Sequence, residues 1–205
     1  MYNDITGIIL SGGKSRRMGV NKSFLKLGNK YVIEIISGLM RELFSKLILI
    51  TNEPFLYSFL KLDIYEDIYK NIDPLGGIHS GLTHSQTEKN FIISCDIPLI
   101  SIDTIRFIAD FPSGKSIIVP YADGYTQQLC GVYSKSCLGF IEEIVLSLEK
   151  RSEVKKCPVL ELIEKTGGEV FNIEKEMPSG YKPNMFLNMN DIRNYRNAAE
   201  LYAGK

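Results

Sequence analysis

Histidine is scarce in this 205-residue chain: His79 and His84 are the only two, five positions apart where one helical face would need four. A histidine-based metal centre or a Ser-His-Asp relay has little to build on, and both residues read as structural or surface histidines. The four cysteines, Cys95, Cys130, Cys137 and Cys157, form no CxxC pair and have no histidine at zinc-finger spacing, which leaves reduced, mostly buried thiols. No apolar run approaches the roughly eighteen residues that a membrane span needs. The opening MYNDITGIIL also lacks the basic region of a secretion signal. Net charge is absent too, because 24 basic residues balance 24 acidic ones, which argues against retention on nucleic acid by counterion release. The expectation is a cytoplasmic protein with neither nucleic acid nor membrane among its partners.

What is present is globular. Hydrophobic residues make up 44% of the chain and charged residues 23%, a composition that disfavours disorder. No repeat or linker interrupts it, so residues 1–205 read as one domain. Ile5–Leu10, Lys46–Thr51, Asp63–Glu66 and Asn90–Ser94 are short apolar or β-branched runs of the kind buried on both faces of a parallel sheet. Between them, Ile33, Ile36, Leu39, Met40 and Leu43 recur at helical spacing from Tyr31 to Phe44. Shorter helices are expected over Pro54–Leu60, Ile78–Ser85 and Ile105–Ala109, the last with Ser101, Asp103 and Thr104 as candidate caps. In the second half, Ser116–Pro120, Leu129–Tyr133, Glu169–Ile173 and Met185–Asn188 read as strands. Helices are expected there over Ser136–Leu148, Val154–Lys165 and Asp191–Leu201. Strands alternating with helices predict an α/β fold, three layers deep, with a mainly parallel, doubly wound, Rossmann-like sheet and right-handed crossovers.

In such sheets ligands bind beyond the carboxyl ends of the strands. The first of those loops, Ser11-Gly-Gly-Lys-Ser-Arg-Arg-Met-Gly-Val-Asn-Lys22, joins a glycine turn to a dense basic stretch. No acid stands between Asp4 and Glu34, whereas Lys14, Arg16, Arg17, Lys22, Lys26 and Lys30 all do. Gly12 and Gly13 let backbone N–H groups approach a nucleotide, and Lys14, Arg16, Arg17 and Lys22 can neutralise a polyphosphate. A P-loop does not fit, because Gly13-Lys14-Ser15 would need a glycine where Ile8 stands inside the strand. The alternation of a GxGxxG turn is missing as well.

Leu10-Ser-Gly-Gly-Lys-Ser-Arg-Arg-Met-Gly-Val-Asn-Lys22 closely resembles the LAGGxSxRMGxDK signature of molybdenum cofactor guanylyltransferases. Pro74-Leu-Gly-Gly-Ile78 is similar to the family's GPLxGI loop, Cys95-Asp-Ile-Pro98 to its CDxP motif, and Asn188-Met-Asn190 to its NxN element. All four agree in order and approximate spacing across nearly the whole chain. The resemblance implies a nucleotide-diphospho-sugar-transferase-like fold, with residues 1–110 as the nucleotide-binding half and 111–205 as the acceptor-binding half. It implies transfer of GMP from GTP to the terminal phosphate of molybdopterin carrying its molybdenum, with release of pyrophosphate and Mg²⁺ as cofactor. GTP and the molybdenum cofactor are then the small-molecule partners, and molybdoenzymes or their chaperones the recipients.

Carried over position by position, the resemblance makes Lys22, Arg17 and Asp96 catalytic. Leu10, Ser11, Gly12, Gly13, Lys22, Asn52, Asp67, Gly76, Gly77 and Asp96 bind the nucleotide, and Asn188 and Asn190 the acceptor. Asp96, at a strand's carboxyl end, suits Mg²⁺ as a hard oxygen ligand, or else caps a helix. Asp67 can accept from N1–H and N2–H₂ of guanine, which cytosine does not present, or else serves a turn. Asn188 and Asn190 can orient the acceptor phosphate or the metal, or else Asn190 caps the last helix. Two departures stand out: Asn21 replaces the usual Asp before the motif lysine, and Gln128 replaces the proline of a QPL element. A CTP-dependent cytidylyltransferase of the same fold and a non-catalytic nucleotide-binding module are the alternatives.

Overall fold

A computed structural model describes residues 1–12, 21–150 and 157–204. Strand β1 (Tyr2–Leu10) shows the two-sided burial expected of a central strand. Its residues alternate, Ile5 and Ile9 entering the core on one face of the sheet and Ile8 and Leu10 the core on the other. A two-residue hairpin, β2 (Lys26–Leu27) with β3 (Lys30–Tyr31), precedes helix α1 (Val32–Leu43). The α1 start is fixed where Glu34 Oε2 accepts the Tyr31 N–H at 2.7 Å. Its Ile33, Ile36, Met40 and Leu43 lie in the same core as Ile5 and Ile9.

Strand β4 (Phe44–Ile50) follows α1 directly, then a 3₁₀ helix over Pro54–Leu60 and the short strand β5 (Asp63–Tyr65). Helix α2 (Leu75–His84) begins three residues before the expected Ile78, its first turn built from Leu75-Gly76-Gly77. Strand β6 (Lys89–Ser94) leads to α3 (Ile102–Ala109), where Ser101 Oγ accepts the Thr104 N–H at 3.1 Å. The remainder comprises β7 (Ile117–Ala122), β8 (Tyr125–Thr126), β9 (Cys130–Ser134), α4 (Leu138–Lys150) and α5 (Pro158–Lys165). It closes with β10 (Glu169–Asn172), α6 (Ile173–Glu176) and α7 (Ile192–Ala203). The expected start of α5 at Val154 lies outside the described residues.

The strands order as β10-β7-β9-β6-β1-β4-β5, with β8 paired to β7. All neighbours along that path are parallel except β9, which runs against both β6 and β7. Helices α1 and α3 cover one face, and α2, α4 and α5 the other, which gives the three layers read from the sequence. One expected strand does not form. Met185 and Phe186 close a turn over 183–186 and Leu187–Asn188 continues irregularly, because Lys182 O and Asn184 O accept the N–H groups of Met185 and Leu187 at 3.1 and 2.9 Å and satisfy the backbone locally. Met185 and Phe186 are nonetheless buried. His79 is buried on α2, its Nε2 3.6 Å from Glu142 Oε1 and its Nδ1 without a partner among the described residues, while His84 stacks on Tyr65. Burial holds the His79 imidazole below its usual pKa. Among the described residues no helix is long and apolar enough to cross a membrane.

Candidate active site

The sheet changes direction at β1: β4 and β5 extend it to one side, whereas β6 lies on the other. A crevice opens beyond the carboxyl ends of the strands at such a point. There the Ser11 N–H donates to Ile50 O at 2.9 Å and the Cys95 N–H to Leu10 O at 3.0 Å, so the segments leaving β1 and β6 are stitched to their neighbours.

Asp96 follows β6 into this crevice. Ser94 Oγ donates to Asp96 Oδ1 at 2.6 Å, and Oδ2 stands 3.8 Å from Lys22 Nζ. Lys22 Nζ donates to Asn190 Oδ1 at 2.7 Å, and the Met189 N–H donates to the Asp96 carbonyl at 3.0 Å. The chain before α7 is thereby tied to the end of β6. Lys22 and Asp96 are only 18% and 16% exposed, so their pairing is sheltered yet open to a third charged group. No group of three or more His, Cys, Asp or Glu forms a metal cage among the described residues. A lone carboxylate oriented by Ser94 fits Mg²⁺, which keeps several waters and takes one or two carboxylates beside substrate phosphates.

Asp67 lies just past β5 and is buried, its side chain held from Asn52. Asn52 Nδ2 donates to Asp67 Oδ2 at 2.7 Å, and the Asp67 N–H returns to Asn52 Oδ1 at 3.2 Å. Burial pushes the Asp67 carboxyl above the usual range, against the lowering effect of that hydrogen bond. With Leu10, Ser11, Gly12 and Gly77 it borders a cleft of about 60 Å³. A Cβ on Gly77 would stand 3.4 Å from Leu10 and 3.6 Å from Asp67 Oδ1. Gly76 is different: its Cβ would lie 2.4 Å from the Tyr69 carbonyl oxygen, so its bareness serves the turn rather than a ligand.

A larger cavity of about 590 Å³ lies on the β9 side, bordered by Tyr125, Gln127, Gln128, Asn184, Asn188 and Asn190 among others. Ser94 and Leu129 border both spaces. Carboxamides dominate its polar wall, and Asn188 Oδ1 is buried with no hydrogen-bond partner among the described residues. Gln128 has a structural reason to replace proline, since its N–H donates to Thr126 O at 3.0 Å. Its Oε1 accepts from Cys157 Sγ at 3.3 Å.

The structure thus brings Lys22, Asp96 and Asn190 together, with Leu10, Ser11, Gly12, Asp67 and Gly77 on one side and Asn188 on the other. Two capping alternatives fall away. Asp191, not Asn190, caps α7 through the Asn194 N–H at 2.8 Å, and Ser101, not Asp96, caps α3. Gly13 and Arg17, with Lys14 and Arg16, lie outside the described residues. Lys26 and Lys30 border neither space; they sit on the β2–β3 hairpin, with Lys26 Nζ 5.2 Å from the Tyr31 ring centroid. Ser94 was missed from sequence, although a hydroxyl closing the apolar run Phe91-Ile92-Ile93 was its signal. All four cysteines are free, and burial pushes the Cys95 thiol up to about 11, which keeps it protonated beside Asp96.

The profile of the MobA-like NTP transferase domain matches residues 7–158. The chain belongs to this family. As a MobA-like chain it is 34% identical over 150 residues to a probable molybdenum cofactor guanylyltransferase of Clostridium perfringens (strain 13 / Type A), covering 73% of this chain and 75% of that one. A protein of the same name from Carboxydothermus hydrogenoformans is 29% identical over 202 residues, 98% of each chain, and so spans Asn188 and Asn190, which the domain profile does not reach. Among solved structures, molybdopterin-guanine dinucleotide biosynthesis protein A from Archaeoglobus fulgidus superposes with a TM-score of 0.81 at 19% identity, over 98% of this chain and all of that one. A protein from Aquifex aeolicus matches with a TM-score of 0.73 at 26% identity, over 91% of this MobA-like chain and 93% of its own.

Proposed function

We propose that this MobA-like protein transfers GMP from GTP to the terminal phosphate of molybdopterin bearing its molybdenum, releasing pyrophosphate. The observation that carries this reading is the meeting of Lys22, Asp96 and Asn190 between a cleft bordered by Asp67 and a larger, amide-walled cavity. Residues 1–110 then hold the nucleotide, and residues 111–205 contribute most of the acceptor's wall.

The attacking group is an oxygen of the acceptor phosphate, already ionised at neutral pH. It bonds to the α-phosphorus of GTP while the bond from that phosphorus to the bridging oxygen breaks, and the electron pair leaves on pyrophosphate. No protein nucleophile is needed, so the chain acts by positioning and by neutralising charge. Lys22, with Arg17 as a second cation, stabilises charge on the transferring phosphoryl group, and Asn190 aims the Lys22 ammonium. Leu10, Ser11 and Gly12 line the nucleotide's path, Gly13 continues the same nucleotide-binding motif, and Gly77 leaves room for the base. Asp67 accepts the guanine N1–H and N2–H₂ through Oδ1, while Asn52 fixes Oδ2. Asp96 would hold Mg²⁺, which when bound would supply further charge neutralisation. Asn188 Oδ1, without a partner among the described residues, accepts a donor from the acceptor. The setting is the cytoplasm, and the product passes to molybdoenzymes or their chaperones.

Nucleotide selectivity tests the reading. In the presence of Mg²⁺, GTP should raise the melting temperature well above CTP and ATP, since only a tight ligand shifts it appreciably. Incubation with α-labelled GTP, Mg²⁺ and molybdopterin-loaded acceptor should then yield labelled product and pyrophosphate. A larger shift with CTP would point to cytidylyl transfer, and binding without pyrophosphate release would point to a silent module.

A further inference from the structure

Asn21, which stands where this family usually carries an aspartate, sits in a hydrogen-bond network that explains the exchange. Its Oδ1 accepts the Ser23 N–H at 3.1 Å and so caps the 3₁₀ turn Lys22–Phe24. A backbone N–H can only donate, so that bond fixes which end of the amide is oxygen. The Nδ2 therefore points the other way, donating to Glu53 Oε2 at 3.2 Å and to Tyr57 Oη at 3.1 Å. Tyr57 is fully buried and also accepts from Ser11 Oγ at 2.8 Å, and Ser11 Oγ lies 2.6 Å from Ser23 Oγ. Glu53 is itself held in place, its N–H donating to Thr51 Oγ1 at 3.3 Å.

We propose that Asn21 and Glu53 are a matched pair that positions Lys22. The carboxylate at 53 requires a donor at 21, and the amide's other end caps the turn from which Lys22 reaches Asp96 and Asn190. An aspartate at 21 keeps the cap but turns its second oxygen toward Glu53 Oε2, putting two negative charges where a hydrogen bond stood. The backbone of residue 21 is then drawn away from Glu53, and the Lys22 ammonium moves with it. Asn21 is thus a positioning residue adapted to its neighbour, and its presence is no sign of a silent site.

The proposal rests on the reading that Lys22 meets the triphosphate, so the experiment separates the two. Wild type, Asn21→Asp, Glu53→Gln and the double variant are compared for kcat and KM with GTP, for Mg·GTP affinity and for melting temperature. Asn21→Asp should lower kcat/KM about threefold to fivefold, the size expected of one exposed charge pair. Glu53→Gln in the same chain should restore it, and raising ionic strength should shrink the defect, since exposed charges are screened. A purely structural role would lower melting temperature and activity together, without salt relief. Asn21→Ser, which keeps a cap oxygen but lacks the amide that reaches Glu53, covers the case of a poorly folded aspartate variant and should also weaken Mg·GTP binding. If Asn21→Asp matches or exceeds wild type, or if Glu53→Gln gives no rescue, the pairing is overturned. If wild type binds no nucleoside triphosphate, the functional reading falls by that arm. Non-additive melting temperatures in the cycle would still support the Asn21–Glu53 pair, and additive ones would overturn it.

Discussion

Asp96 is oriented by a neighbour two residues back, and this makes its contribution divisible. Asp96→Asn removes the charge proposed to hold Mg²⁺ and should lower turnover by about 10²–10³-fold in a pyrophosphate-release assay. Ser94→Ala leaves the charge but frees Asp96 Oδ1 from its 2.6 Å hydrogen bond, and should weaken the Mg²⁺ dependence by about 10-fold or more. Near-normal rates in both variants would remove Asp96 from the chemistry. Asp67 gives a pH signature of definite sign. Because burial raises its carboxyl pKa, it takes up a proton while ordinary carboxylates are still ionised, and in the proposed guanine contact a protonated Asp67 would lose acceptor capacity. GTP affinity, measured by calorimetry, should therefore decline on acidification earlier than the usual carboxylate range predicts, and Asp67→Asn should abolish that dependence. The same raised pKa means that Asp67 contributes stability at low pH that is lost as pH rises through its folded value. In the nucleotide-free protein, Asp67→Asn should accordingly raise the melting temperature at neutral pH while weakening GTP binding.

Helix α3 starts on one side-chain bond, Ser101 Oγ accepting the Thr104 N–H. Ser101→Ala should cost about 1 kcal/mol in urea unfolding, and Ser101→Asp should recover most of it. That cap was legible in the sequence, as were β1, α1, β4, β6 and the crevice they create, because runs such as Ile5–Leu10 and spacings such as Ile33-Ile36-Met40 repeat with the period of their own secondary structure. The hairpin β2–β3 and strand β8 were not legible, since two residues each carry no period. Neither was the direction of β9, which lies in its pairing with β6 and β7 rather than in Cys130–Ser134 itself. In the site, Lys22, Asp67 and Asp96 could be named from motifs, but Ser94, Tyr57 and Glu53 act through partners 2, 36 and 32 positions away, and such contacts exist only after folding. The NxN segment shows both sides: its residues were identified, and its expected strand was not formed, because local turn bonds won over pairing.

The two largest cores, one on each face of the main sheet, sandwich the strands between β9 and β4. Phe91 on β6 is fully buried and stacks on Phe44 with ring centroids 5.5 Å apart. Phe91→Ala should cost about 3–5 kcal/mol in denaturant unfolding, an effect read from the loss of a large core ring. Bound nucleotide should offset part of such a loss, by about 2.7 kcal/mol at a hundredfold excess over Kd. Strand β9 has a different consequence. Running against its neighbours, it begins at the edge where β6 ends, with the Ser94 N–H donating to Leu129 O at 2.8 Å. The connection from β7 into β9, with Tyr125, Gln127 and Gln128, becomes a wall of the second cavity, and of that connection Leu129 alone also borders the first cleft. Insertions or deletions ahead of Leu129 in that connection would resize the second cavity with little change at the first. A lineage can therefore exchange its acceptor by editing a hairpin, as one changes the bit of a tool and keeps the handle.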